Sequence, residues 1–211
     1  MALEALARNG HNLHIGAFPL AGQYGIPQLE PAQLSGRLEW VSFNCAKTDS
    51  ARERHGVHFF IDDYLFERTW NDPPRYARLL KEYRAVLTPD FSLFTDYPQA
   101  VQIYNHYRKH LLGAYWQRQG ITVIPSICWS DESSFDWCFD GEPVGGCIAI
   151  SSVGTQKNLE AKRLFMRGFQ EMMDRLKPSK IIFFGGIPDG CEGNIEHHTP
   201  YYAAVNARKR G

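Results

Sequence analysis

The sequence predicts an α/β fold in which a parallel sheet alternates with helices. Six short apolar runs recur along the 211 residues, as is typical of strands that are buried on both faces. Segments with helical spacing of apolar residues separate several of these runs. A reduced or partial TIM-like (β/α) barrel fits this order of elements, and an open doubly wound sheet is the alternative.

Three regions follow from composition and periodicity. Residues 1–37 are rich in Gly, Pro and Leu, and we expect an irregular N-terminal arm there. The β/α domain is expected over residues 38–187, with strands at 38–43, 57–61, 85–87, 121–127, 146–151 and 180–184. Residues 188–211 are expected to form a C-terminal tail. Its basic end, residues 207–211, is predicted to be solvated or to contact an anion or nucleic acid.

Three helices are predicted between the strands. The first begins at Pro73, because proline is favoured in the first turn of a helix. The second runs from Pro98 to about residue 119, and the third covers residues 159–176. The second helix carries a polar, partly basic side that we expect to face solvent, formed by His106, Arg108, Lys109, His110 and Arg118.

Composition excludes several classes of protein. Lys and Arg together number 23, as do Asp and Glu, so no global basic field exists to drive non-specific binding to nucleic acid. No run of about 18 apolar residues is present, so we expect no membrane partner. The five cysteines are widely spaced and are expected to be free thiols. With no secretory pattern at the N-terminus, we expect a cytoplasmic protein.

Acidic residues follow several of the predicted strands, and they are the candidate catalytic groups. The carboxyl ends of neighbouring parallel strands lie close together, so acids placed there are able to reach one ligand. Two or three carboxylates then serve as general acid, base or nucleophile, or hold Mg²⁺. The candidates are Asp62, Asp63, Asp90, Asp131 and Glu132, with Mg²⁺ considered at Asp62, Asp90 and Asp131. Each acid alone is equally consistent with a helix cap.

Asp90 is the foremost of these acids. Pro89 restricts the backbone before it, and Ser92 is placed to hydrogen-bond its carboxylate. Asp62 and Asp63 point to opposite faces if the chain is still extended, so only one of them is expected to face a common pocket.

Small and polar residues after the strands are candidate substrate-binding groups. The segment from Ser152 to Lys157 joins a strand to a helix, where backbone N–H groups and a lysine favour an anion. A plain turn is the alternative. The full set of binding candidates is Ser92, Trp129, Ser130, Ser152, Gly154, Lys157, Gly185 and Gly186.

Cofactor motifs are largely missing from the sequence. Neither a nicotinamide or flavin fingerprint nor a zinc motif is present, and the histidines show no HxH or HExxH spacing. Magnesium is therefore the one cofactor considered, and the cofactor is otherwise unknown.

Several segments resemble a phage, prophage and bacterial family known as domain of unknown function 4417. They are FIDDYLFERTW, VLTPDFSLFTDYPQAVQIYNHYR, FDWCFDG and AISSVGT followed by a helix and IIFFGG. Together they cover most of residues 57–186. The resemblance implies association with a mobile element and transfers no catalytic residue.

The segments AISSVGT and KPSKIIFFGGIP are also similar to late strands of the tRNA-guanine transglycosylase barrel. This similarity implies a barrel and an aspartate nucleophile, which suits Asp90 or Asp131. The zinc motif of those enzymes, three closely spaced cysteines and a histidine, is missing from this sequence.

Two functions remain open at this point. The first is a mobile-element enzyme, a hydrolase or transferase, that uses strand-end carboxylates in glycosyl or phosphoryl chemistry on a nucleotide or nucleic acid. The second is a phage-type binding protein without activity that contacts nucleic acid or a host protein. The oligomeric state is not predicted.

Overall fold

A short antiparallel pair of strands begins the described part of the chain. The protein is represented by a computed structural model that describes residues 10–200. Strands β1 (Leu20–Ala21) and β2 (Ile26–Pro27) pair within the predicted N-terminal arm. Strand β2 is buried against the long helix that follows later in the chain, so this part of the arm covers the core.

Seven parallel strands form the centre of the fold. Strands β3 to β6 make one sheet in sequence order, and β7 to β9 make a second. A parallel bridge between Ser126 and Ala149 connects the two sheets. The strands are β3 (Glu39–Ser42), β4 (His55–His58), β5 (Ala85–Leu87), β6 (Val123–Ile124), β7 (Cys147–Ser151), β8 (Lys180–Phe184) and β9 (Ile195–His198).

The outer strands β3 and β9 approach each other through side chains. Arg37 donates from Nη2 to the carbonyl oxygen of His197 at 2.9 Å, and the rings of Trp40 and His198 lie 6.5 Å apart. Within residues 10–200 no backbone ladder joins these strands, and no closed barrel is detected. The α/β class and the parallel sheets are therefore present as predicted.

Within the described residues, four α-helices connect the strands. They are α1 (Arg68–Asn71), α2 (Pro73–Leu80), α3 (Gln99–Arg118) and α4 (Leu159–Leu176). Side chains cap two of them, because Asp72 accepts from the N–H of Arg75 and Asn158 accepts from that of Ala161. Short 3₁₀ helices cover Phe43–Cys45, Arg52–Arg54, Asp63–Leu65 and Glu132–Asp136. None of the helices in residues 10–200 is long and apolar enough to cross a membrane.

Local patterns located most of these elements. The strands at residues 85–87 and 180–184 and the helix at 159–176 occur at the predicted bounds. Strand β9 was not anticipated and lies within the segment expected to be a tail. It extends the second sheet by pairing with β8. The basic end at 207–211 lies outside the described residues.

The prediction for the polar side of α3 was wrong for three of its five residues, whereas Arg118 is exposed as expected and Arg108 is half-buried. His106, Lys109 and His110 are buried, whereas Val101 and Tyr104 on the same helix are exposed. The cause is tertiary: β2 and the turn at residues 140–142 pack over the polar side and supply hydrogen-bond partners to it. The pattern of polar and apolar residues within one helix does not predict partners that come from other segments of the chain.

Candidate functional site

A cavity of about 340 Å³ opens beyond the carboxyl ends of several strands. This is the edge of a parallel sheet at which α/β proteins bind ligands. Aromatic and aliphatic side chains form most of its wall. The lining residues are Phe60, Ile61, Asp62, Asp90, Phe91, Ser92, Leu93, Phe94, Ile127, Cys128, Trp129, Ser151, Val153, Thr155, Phe165, Phe184 and Pro200.

Asp90 is the most perturbed acid of the cavity. Burial raises its pKa to about 7, and the nearby charge of Asp63 contributes to the same shift. Lys109 and a hydrogen bond with Cys128 act in the opposite direction. The side chain of Asp90 is therefore able to gain or lose a proton near neutral pH, as a general acid or base requires.

Asp63 and Ser92 form a fixed pair beside Asp90. Ser92 donates its backbone N–H and its hydroxyl to the two carboxylate oxygens of Asp63, at 3.0 and 2.9 Å. The side chain of Asn105 donates to the Ser92 carbonyl at 2.8 Å and holds the same loop. Ser92 was expected to bond Asp90, but its hydroxyl is directed to Asp63 because the 3₁₀ turn after β4 brings that carboxylate to it.

The neighbouring Asp62 has a different position. It is exposed and lines the cavity, whereas Asp63 is held by Ser92. Asp62 therefore forms part of the cavity wall, whereas Asp63 does not line the cavity. The cavity brings together Asp62 and Asp90 from the predicted catalytic set.

Asp131 and Glu132 are not among the described residues that line the cavity. The Oδ1 atom of Asp131 accepts hydrogen bonds from the backbone N–H and hydroxyl of Ser133, at 2.9 and 2.6 Å, and caps a 3₁₀ helix. Glu132 is exposed, with its carboxylate 3.8 Å from Arg163. The predicted Mg²⁺ set of Asp62, Asp90 and Asp131 is therefore divided between the cavity and a helix cap.

The predicted substrate-binding residues are divided in the same way. Ser92 and Trp129 line the cavity. So do the last residue of β7, Ser151, and two residues of the β7–α4 connection, Val153 and Thr155. Gly154 and Lys157 are exposed and do not line it. The remaining candidates, Ser130, Ser152, Gly185 and Gly186, also lie outside the wall.

Two of these residues have a structural role. The Ser152 hydroxyl donates to the Gly186 carbonyl at 2.6 Å, which ties the ends of β7 and β8 together. Gly185 has a φ of 105°, and a Cβ atom there would lie 2.5 Å from the Ser152 hydroxyl. Glycine is required at this position for both reasons.

Trp129 stands between the cavity and α4. A Cβ atom on Gly168 would lie 2.1 Å from Cε2 of Trp129, so the helix approaches the indole closely only because residue 168 is glycine. The ring of Phe165 lies 5.4 Å from that of Trp129. Apart from Trp129, the aromatic residues of the wall were missed by sequence reasoning, since they come from separate strands, loops and helices and show no local motif.

A buried ion pair lies behind Asp90. Lys109 Nζ donates to Glu142 Oε1 at 2.5 Å and to the Ser126 carbonyl at 3.1 Å. The side chains of both charged residues are at most 1% exposed. Burial is the largest single influence and by itself would lower the pKa of Lys109, but Glu142, Cys128 and Asp90 together outweigh it, so the pKa is raised and the ammonium stays charged. Its positive charge opposes the upward shift of Asp90.

Comparison with known proteins places the chain in a family. Residues 18–201 match the model of the Domain of unknown function (DUF4417). The chain belongs to this family. Its relatives include the Gene 1 protein of Mycobacterium phage D29, 41% identical over 92% of this chain and 72% of the relative. The Gene 1 protein of Mycobacterium phage L5 is 40% identical over 81% of this chain and 75% of the relative. No solved structure matches.

Proposed function

We propose that this family member is an enzyme of glycosyl chemistry that acts on a nucleotide or on a base within a nucleic acid. Support comes from one arrangement, the carboxyl of Asp90 in a cavity walled mainly by aromatic and aliphatic side chains. A flat heterocycle suits such a wall, because aromatic rings stack on it. The volume of about 340 Å³ is within the usual range of small-molecule sites.

The chemistry that suits these groups is hydrolysis of the bond between base and sugar. Asp90, protonated in part of the population at neutral pH, gives its proton to a ring atom of the departing base. Asp62 accepts a proton from the water that attacks the sugar carbon. The products are the free base and the sugar with a new hydroxyl; Asp62 then releases its proton to solvent and solvent returns one to Asp90, which restores both acids.

Phosphoryl chemistry with Mg²⁺ is less well supported by the residues. Hard cations prefer ionised carboxylates, whereas burial favours the neutral form of Asp90. The third carboxylate of the predicted set, that of Asp131, accepts a hydrogen bond from the backbone N–H of Ser133. The glycosyl reaction needs only the two acids that line the cavity.

Product formation tests the proposal directly. The purified protein is incubated with a panel of nucleosides, nucleotides and short single strands of DNA and RNA, and released bases are detected by chromatography. We expect release by the wild type and a loss of about 100-fold or more in Asp90→Asn. Glu132→Gln, which removes an exposed carboxylate outside the cavity, serves as the matched control and should retain the full rate.

Tryptophan fluorescence with the same panel measures binding through Trp129, which lines the cavity. If a ligand quenches the tryptophan fluorescence but no ligand of the panel yields a product, the protein is a binding protein and the catalytic role is refuted. A rate that survives in Asp90→Asn would refute that role as well.

A further inference from the structure

The buried side of α3 brings together three groups of the type that bind transition metals. His106 and His110 are one helical turn apart, and Glu142 reaches them from the turn after residue 139. One ring nitrogen of each histidine and one carboxylate oxygen of Glu142 lie within 4.8 Å of one another. All three residues are buried, so bulk solvent does not reach their polar atoms.

The hydrogen bonds of His110 define which ring nitrogen is available to bind a metal ion. Its Nδ1 lies 2.8 Å from the Pro27 carbonyl oxygen, which only accepts, so Nδ1 carries the hydrogen. A neutral imidazole has one N–H, and Nε2 then presents a lone pair. That lone pair faces Glu142 Oε1 at 3.0 Å. Two acceptor atoms at this separation require either an added proton between them or a cation that the imidazole and the carboxylate both bind.

His106 is arranged in the same way. Its Nε2 donates to the Asp140 carbonyl at 3.0 Å, and its buried Nδ1 has no hydrogen-bond partner. The second carboxylate oxygen of Glu142, Oε2, is also buried without a hydrogen-bond partner. Leaving a buried polar atom unpaired is unfavourable, so two such atoms in one cluster point to a ligand.

We propose that His106 Nδ1, His110 Nε2 and the carboxylate of Glu142 bind a divalent transition-metal ion of the zinc class. Two imidazole nitrogens and a carboxylate are an established ligand combination for such ions. In both histidines the ring nitrogen that does not bind the ion donates to a backbone carbonyl, which is how proteins fix the tautomer of a metal-binding imidazole. Gly141 permits the close approach, since a Cβ atom there would lie 2.9 Å from His110 Nδ1.

Lys109 occupies one oxygen of the shared carboxylate, Oε1, at 2.5 Å. The ion therefore takes Oε2, and repulsion from the ammonium weakens its affinity. A protonated His110 is the competing arrangement. It places two cations on Glu142 and still leaves His106 Nδ1 and Glu142 Oε2 unpaired, whereas the ion uses both atoms. The ion joins α3 to the turn at residues 140–142 and does not depend on the proposed glycosyl reaction.

Metal titration of the full chain tests this site. Protein treated with a chelator is titrated with Zn²⁺ by calorimetry and with Co²⁺ by visible absorption. We expect one equivalent to bind and to raise the melting temperature. His106→Gln and His110→Gln should each weaken binding by about 10-fold or more. The control, His14→Gln, changes an exposed histidine and should bind as the wild type does.

X-ray absorption of Zn²⁺ on the wild-type protein covers the case in which either variant fails to fold. A shell that contains two imidazole nitrogens and a carboxylate oxygen supports the site. Sulfur ligands from Cys128 or Cys138, stoichiometric binding retained by both folded variants, or a folded wild type that binds no metal would overturn it.

Discussion

Ser92 holds the carboxylate of Asp63 with two hydrogen bonds, from its backbone N–H at 3.0 Å and its hydroxyl at 2.9 Å. The negative charge of Asp63 is thereby fixed beside Asp90, where it adds to the effect of burial on the pKa of Asp90. The pair therefore influences the proton affinity of Asp90 through the charge of Asp63.

Asp63→Asn should lower the pKa of Asp90 below about 7, because it removes a neighbouring negative charge and keeps an acceptor for Ser92. Carbon-13 NMR of labelled aspartate carboxyls measures this value. If protonated Asp90 is the active form, the loss of rate at high pH should begin at a lower pH. Asp136→Asn, an exposed change outside the cavity, is the control. An unchanged Asp90 titration would contradict the coupling.

Asp90→Asn should stabilise the protein in a pH-dependent manner. The folded-state pKa of about 7 lies above the value of about 3.9 for an unfolded chain, so the folded state binds more protons between these values. Wild-type stability therefore falls as pH rises through this window, and the uncharged variant avoids the loss. Since one pKa unit corresponds to about 1.4 kcal/mol, urea unfolding should show a gain that is larger at pH 8 than at pH 4 by up to about 4 kcal/mol. An equal difference at both pH values would refute the shift.

Gly168→Ala should displace Trp129 and narrow the cavity. The added Cβ would lie 2.1 Å from Trp129 Cε2, so the indole has to move. Alanine favours a helix over glycine by about 1 kcal/mol, which partly offsets the strain. We expect weaker ligand binding with a smaller change in melting temperature, measured by tryptophan fluorescence and thermal unfolding. Lys162→Ala, an exposed change on the same helix, is the comparison, and equal affinities in the two variants would contradict the close contact.

The Lys109–Glu142 pair should show strong coupling in a double-mutant cycle. Lys109→Met or Glu142→Gln alone leaves one buried charge without its partner, with an expected cost of about 3–5 kcal/mol. The double variant should cost much less than the sum of the two changes. Urea unfolding in the presence of a chelator measures all three variants without a contribution from bound metal. Additive losses would show that the two side chains do not interact.

The burial of His106, Lys109 and His110 shows where a local pattern fails. Their spacing on α3 is that of a polar face, and the residues that cover it, Pro27 and Glu142, are 83 and 32 residues from His110 in sequence. Nothing within the helix itself indicates these partners. The metal-binding combination was missed for the same reason, since one of its ligands lies outside the helix.

The sequence by itself determined the α/β class and most strand and helix positions, and it predicted Asp90 as the foremost acid. These features depend on local periodicity and on the position of an acid after an apolar run, both of which the chain contains within a few residues. The tertiary structure decided which acids meet. Asp62 and Asp90 line one cavity, Asp63 accepts hydrogen bonds from Ser92, and Asp131 caps a 3₁₀ helix. The turns and neighbouring strands determine which partner each acid meets. The proton affinity of Asp90 likewise depends on burial and on charges from distant segments, which only the folded chain brings together.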